Sequence, residues 1–228
     1  MKIGTLNIGH QTLRPRVIPE DLLDVLVALD LDLLFLTEYV NTDDYAAALN
    51  RRWPHVLNSA QAPYRSSRSH NQVVALSRLP LRARAGHQPV PTEAARTNFL
   101  SVEVAGLIVT GMRAPAYKPR DWYAYWDALA QRLDGDVVIG DFNVDPSRRR
   151  RRDQVLPMGW RLVTPAHGPS YRSLRNGSES AIDHALVRHD VELRGEAIYD
   201  PKFFGRWGLD HCPLVIDVRG ENSGASTD

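Results

Sequence analysis

Apolar and polar positions alternate from the start of the chain. Residues 2–8 place Ile3, Leu6 and Ile8 among small and polar neighbours, which predicts a strand ending at Asn7-Ile8-Gly9. Pro19 suits the first position of a helix, and Leu22, Val25, Leu26 and Leu29 recur on one helical face. Residues 31–36 are almost uninterrupted apolar sequence, a buried strand that delivers Thr37-Glu38 at its end. Asn41 or Thr42 can cap a short helix carrying Tyr45, Ala48 and Leu49.

Strands are expected at 54–57 and 72–77, followed by a polar, proline-containing surface loop over 81–97. Residues 99–104 and 107–112 read as a hairpin turning at Ala105-Gly106. Pro119 opens a helix in which Trp122, Tyr125, Trp126, Leu129 and Leu133 follow the 3.6-residue period, as core residues do. Further strands are expected at 137–139, 160–163, 181–187, 191–198 and 213–218. Strands outnumber helices about two to one, with helices interspersed, so the fold class is an α/β or α+β sandwich. No repeat or long linker divides the chain, and residues 1–218 are expected to form one domain. The polar, Gly/Ser-rich stretch 219–228 is expected to be a disordered tail.

Composition narrows the picture only slightly. The 228 residues carry 28 Lys+Arg against 27 Asp+Glu, so no global field announces a polyanionic partner. The single cysteine, Cys212, excludes an intrachain disulfide and agrees with a reducing, cytoplasmic location. No signal-peptide pattern and no apolar run of membrane-spanning length is present, so stable membrane association is not expected.

The chemistry gathers at strand ends. Gly140-Asp141-Phe142-Asn143-Val144-Asp145-Pro146 follows the apolar run 137–139, putting an acid and an amide at the mouth of a sheet, where open α/β sheets bind ligands. An Asx-type turn is the structural alternative. A calcium loop fails, because the position needing Gly is Pro146 and the expected bidentate Glu is Arg152. Asn7, Glu38, Asp183 with His184, and Asp210-His211 repeat the placement. Hard divalent cations want carboxylate and amide oxygens, and Glu38 with Asp210 or Asp141 could supply them. His211 oriented by Asp183 would be held in one tautomer and steadied when charged.

Thr5-Leu6-Asn7-Ile8-Gly9, Leu36-Thr37-Glu38, Gln72 through Pro80, Gly140-Asp141-Phe142-Asn143, Ser180-Ala181-Ile182-Asp183-His184 and Leu209-Asp210-His211-Cys212-Pro213 together resemble the ordered motifs of the endonuclease/exonuclease/phosphatase superfamily. The resemblance implies a four-layer α/β/β/α sandwich and hydrolysis of a phosphate ester by in-line attack of water with Mg²⁺ or Mn²⁺. It implies Glu38 as principal metal ligand with Asn7 and Asp210 close to the ion. Asp141 would orient or deprotonate the water, Asn143 would hold a phosphoryl oxygen, and His211 paired with Asp183 would bind the phosphate and stabilise its growing charge.

Two positions depart from the pattern. Arg113 stands before Ala114-Pro115 where relatives carry Tyr or His; it stays protonated and is expected to clamp phosphate. Gly9 stands where some relatives place a second acid, which disfavours a second metal.

For the substrate, Arg148, Arg149 and Arg150, within the five-arginine run 148–152, and Arg78 are candidate substrate contacts. Tyr64, Tyr117 or Trp207 could stack a base. A monomeric nuclease acting on DNA or RNA is the leading expectation. The alternatives are a phosphatase or phosphodiesterase of a small phosphate compound or phospholipid head group, and a catalytically silent nucleic-acid-binding module.

Overall fold

The computed structural model describes residues 1–9, 18–59, 72–84, 98–114, 126–127, 129–131, 133–144 and 156–220. The first strand, β1 (Lys2–Asn7), is joined through α1 (Glu20–Ala28) to β2 (Leu33–Tyr39), and the two strands pair in parallel. Pro19 caps α1 rather than occupying its first turn, and the helix buries Leu22, Leu23 and Leu26, a face rotated from the expected one that included Val25 and Leu29. Next come α2 (Asp43–Asn50), whose cap Thr42 accepts the Tyr45 amide, then β3 (His55–Asn58) and β4 (Gln72–Ser77).

The second sheet begins with β5 (Arg82–Ala83), a two-residue strand inside the expected surface loop, whose residues 85–97 lie outside the described set. β6 (Phe99–Val104) and β7 (Leu107–Arg113) form the expected hairpin. Ala105 and Gly106 both take positive φ, 48° and 78°, as a two-residue turn matched to strand twist requires. After the helical residues Trp126–Asp127 and Leu129–Ala130 comes β8 (Val137–Asp141), parallel to β7. The start of that helix, with Trp122 and Tyr125, lies outside the described residues.

β9 (Trp160–Val163), the short hairpin β10 (Tyr171–Arg172) and β11 (Glu179–Ser180), and β12 (Asp183–Arg188) follow. Residues 191–198 are not one strand but β13 (Glu192–Leu193) and β14 (Ile198–Tyr199), both paired to β15 (Leu214–Arg219). Gly195, at φ 78°, breaks the extended run.

One sheet has the order β13-β15-β1-β2-β4-β3, with β14 also on β15; the other is β5-β6-β7-β8-β12-β9. They stack face to face. A Cβ on Gly111 of β7 would meet the Phe35 ring of β2 at 2.1 Å, so only glycine lets the sheets approach here. The inner faces are therefore Phe35's side of β2 and Gly111's side of β7. The α1 crossover between parallel β1 and β2 must lie on the outer face, because the inner face is taken. On the far side of the second sheet, Trp126 stacks on Phe142, centroids 5.4 Å apart, in a separate apolar cluster with Leu129, Val138, Trp160 and Leu186. The result is the expected layered α/β sandwich of two mixed sheets. No helix of the described residues is long and apolar enough to cross a membrane.

Candidate active site

Period-two alternation carries the polar residues to one mouth of the sandwich. On β8, Val137 and Ile139 join the inter-sheet core while Val138 and Phe142 face outward, so Asp141 points between the sheets. Gly140 makes the approach of β7 feasible: its φ is 156°, and a Cβ there would lie 1.8 Å from the Met112 carbonyl oxygen. The register sets Asp141 opposite Asp183 of β12 and beside Arg113 of β7.

Asp141 is buried and tightly held. Its Oδ2 accepts the Asn7 Nδ2 at 3.0 Å, a bond across the two sheets, and the Asn143 Nδ2 at 3.1 Å. Its Oδ1 accepts the Asn143 backbone N–H at 2.8 Å, so the Asx turn and the site are one structure. Burial, and then repulsion by Asp183, push the Asp141 carboxyl up to about 6. The Asn143 amide also donates to the Ala114 carbonyl, so its two donor hydrogens are engaged within the protein. Its expected contact with a phosphoryl oxygen would require giving one of these up.

His211 lies 2.8 Å from Asp183 through Nδ1, and both side chains are almost fully buried. Burial pulls the imidazole down, but the Asp183 charge and hydrogen bond, with Asp141 and Asp210 behind them, overrule it and lift His211 to about 9. The second oxygen of Asp183, Oδ1, is buried without a partner among the described residues. Asp210, next in sequence, has its carboxyl raised by burial, with the Glu38 charge acting in the same direction.

Glu38 reaches the site through an irregularity. Phe35 and Thr37 face inward, so alternation alone would turn Glu38 away. The β2–β4 register shifts between Leu36 and Tyr39, and Glu38 takes φ 53°, a bulge that re-aims the side chain inward. There its Oε1 accepts Arg113 Nε–H at 3.1 Å and lies 2.9 Å from Nη2 in an ion pair.

The structure thus brings Asn7, Glu38, Arg113, Asp141, Asn143, Asp183, Asp210 and His211 to one mouth. It does not bring Arg78 there. Because β4 runs antiparallel to β2 with Ser77 opposite Leu33, Arg78 sits at the other end of the sheet, roughly 17 Å from Glu38 at strand rise. It pairs instead with Asp30 and the Val27 carbonyl. Arg148, Arg149 and Arg150, with Tyr64 and Tyr117, lie outside the described residues; Trp207 donates Nε1–H to Asp21.

Three supporting residues escaped the sequence reading. Buried Ser170 accepts the Ile182 and Asp183 amides on its Oγ, Tyr199 donates to the Asp183 carbonyl at 2.6 Å, and Tyr171 sets its ring edge-on to His211, centroids 5.1 Å apart. Ser170 and Tyr171 sit in a non-periodic polar stretch, and only the preceding Gly168-Pro169 marked a turn there.

The donor set suits a hard cation. Among the described residues no three of His, Cys, Asp or Glu form a closed cage. Mg²⁺ does not ask for one: it keeps several waters and binds through one or two carboxylates. Glu38 and Asp210, close enough for one charge to raise the other's carboxyl, and the Asn7 amide oxygen fit that description.

The two-sheet sandwich gathers carboxylates, amides and a histidine at one mouth. The sequence matches the Endonuclease/Exonuclease/phosphatase family over residues 4–211, and the chain belongs to that family. Family members are phosphoester hydrolases that generally use divalent metals. Similar solved structures include a 3' phosphatase, NExo, from Neisseria bound to product DNA hairpin, at 20% identity and TM-score 0.72, covering 96% of this chain and 99% of that one. An AP endonuclease from Archaeoglobus fulgidus matches at 18% identity and TM-score 0.68, covering 95% and 98%. TDP2 of D. rerio complexed with single strand DNA product matches at 17% and 0.64, covering 96% and 98%. No curated protein matches the sequence significantly.

Proposed function

We propose that this phosphoesterase is a Mg²⁺- or Mn²⁺-dependent nuclease that hydrolyses phosphodiester bonds of DNA or RNA. The observation that carries the reading is the opposed pair at the mouth: Asp141, raised to about 6, faces Asp183, whose partner His211 is raised to about 9. A carboxylate that titrates near neutrality is matched to accept a proton from water, and an imidazolium beside it is matched to receive negative charge.

In the reaction, Asp141 orients the attacking water and accepts its proton. Asn7 and Asn143 fix that carboxylate, so it reorganises little. His211, held by Asp183 through Nδ1, presents Nε2–H to a phosphoryl oxygen and stabilises the charge that grows there. Arg113 adds guanidinium donors to the same oxygens. Glu38, Asp210 and the Asn7 oxygen would hold the ion, which when bound polarises the phosphate and screens the leaving oxygen.

The DNA products held by the neisserial and zebrafish relatives support a nucleic-acid substrate. The first of these is described as a 3' phosphatase, which favours, as second reading, a phosphomonoester at a nucleic-acid end. The test is a hydrolysis panel with Mg²⁺ or Mn²⁺: single- and double-stranded DNA, an abasic duplex, RNA, 3'-phosphorylated DNA, and small phosphomonoesters and diesters. Internal or terminal diester cleavage lost in Glu38→Ala and His211→Ala is the expected result. Release of phosphate alone would establish the second reading, and hydrolysis confined to small esters would refute both.

A further inference from the structure

Arg113 and the divalent ion have a claim on the same carboxylate. The Nε–H hydrogen bond at 3.1 Å and the Nη2 ion-pair contact at 2.9 Å both fall on Oε1 of Glu38. The pair is sheltered, with side chains only 16% and 15% exposed, so water screens it weakly. Arg113 Nε also comes to 4.0 Å from Asp141 Oδ2. A positive charge therefore sits within the oxygen cluster itself, at the end of β7, in register with Asp141.

We infer that Arg113 is a resident cation of the metal site: it shares Glu38 with the divalent ion, keeps Oε1, leaves Oε2 for the ion, and by its charge holds the affinity for that ion down. The inference rests on the metal-dependent reading above and extends it to this chain's own departure at position 113. Arginine suits the task because it does not deprotonate to escape an approaching dication, and its planar fork holds the carboxylate in one orientation. Two effects oppose each other, since the fork pre-orients the ligand while its charge repels the ion. In a sheltered cluster a unit charge within a few ångströms of a dication outweighs the orientation of one ligand, so the net effect is weaker binding.

Mn²⁺ titration followed by the electron paramagnetic resonance signal of free Mn²⁺ reads this directly, without turnover. Arg113→Gln is expected to bind Mn²⁺ roughly tenfold tighter than the parent or better, about 1.4 kcal/mol. Arg113→Lys, which keeps the charge and loses the fork, is expected to stay within roughly threefold of the parent. Arg113→Met provides a second neutral side chain should the glutamine variant fail to fold, as checked by circular dichroism. Neutral variants that bind Mn²⁺ no tighter than the parent overturn the inference. Glu38→Gln separates the two failures. If the parent binds and Glu38→Gln does not, the metal reading stands whatever Arg113 does; if the parent itself binds no Mn²⁺, both fall.

Discussion

Asp141 and Asp183 face each other across the β8–β12 register, two buried carboxylates on one face, and each is answered by a different kind of partner. Asp141 is held by neutral amides from Asn7 and Asn143, Asp183 by the charged ring of His211. Like charges in one buried place cannot both be cheap, and the protein lets one of them rise toward neutrality while the other keeps a cation.

Asp141→Asn separates activity from stability. Loss of the proton acceptor should lower kcat by about 10²- to 10⁴-fold with KM changed little. Because the folded carboxyl is raised above its unfolded value, its ionised form costs the fold stability at pH 8. The amide removes that titration but turns its NH₂ on a buried N–H donor, so the metal-free variant should show no net gain at pH 8 while losing the parent's fall in stability between pH 3.8 and about 6 in urea unfolding. A variant that keeps the parent's fall across that window would contradict this account.

The His211–Asp183 pair predicts an alkaline loss of stability. His211 rises from an ordinary 6.5 to about 9 on folding, so its contribution is fully present below 6.5 and disappears as pH climbs through 9. Metal-free protein should lose on the order of 3 kcal/mol between those limits. In His211→Gln the unfolding midpoint should be nearly flat across the same window.

Gly111→Ala addresses the inter-sheet spacing. The added methyl would meet the Phe35 ring at 2.1 Å with the opposite sheet behind it. A loss of about 3 kcal/mol is expected in thermal or urea unfolding, partly recovered by adding Phe35→Leu. Additive effects of the two changes would show that the sheets do not meet there.

His184 ties the loop after Asp141 to β12. It is buried, with Nε2 donating to the Val144 and Ala181 carbonyls at 3.0 Å and Nδ1 hydrogen-bonded to Thr164 Oγ1 at 2.9 Å. His184→Leu strands all three groups and should cost about 3 kcal/mol, Thr164→Val about 1 kcal/mol. Urea denaturation of both variants at pH 7.5 checks the ranking.

Much of the frame could be read directly from local pattern. The bounds of β4, the Ala105-Gly106 turn and the Thr42 cap follow from alternation, turn chemistry and a capping hydroxyl, each a short-range cause. What escaped was set by partners distant in sequence. The bulge at Glu38 comes from its pairing with β4, and the far placement of Arg78 comes from strand direction, which periodicity does not encode. The site shows the same division. Strand ends disclosed the polar residues, but not that Arg113 would lean on Glu38, or that Ser170 and Tyr199 would brace Asp183 from separate segments.

β1 takes its sheet partner on one side from β2 and on the other from β15. On a ribosome, the first of these partners is made within tens of residues and the second only after some two hundred. Through that interval β1 presents an unpaired edge, a template for stray pairing until β15 is made. Glu38 is translated at the start of that interval and Asp141 past its midpoint, whereas Asp210 and His211 come just ahead of the strand that closes the sheet. A nascent chain therefore carries most of the polar cluster while lacking the Asp210 and His211 that complete it, so the site is assembled only when β15 closes the sheet.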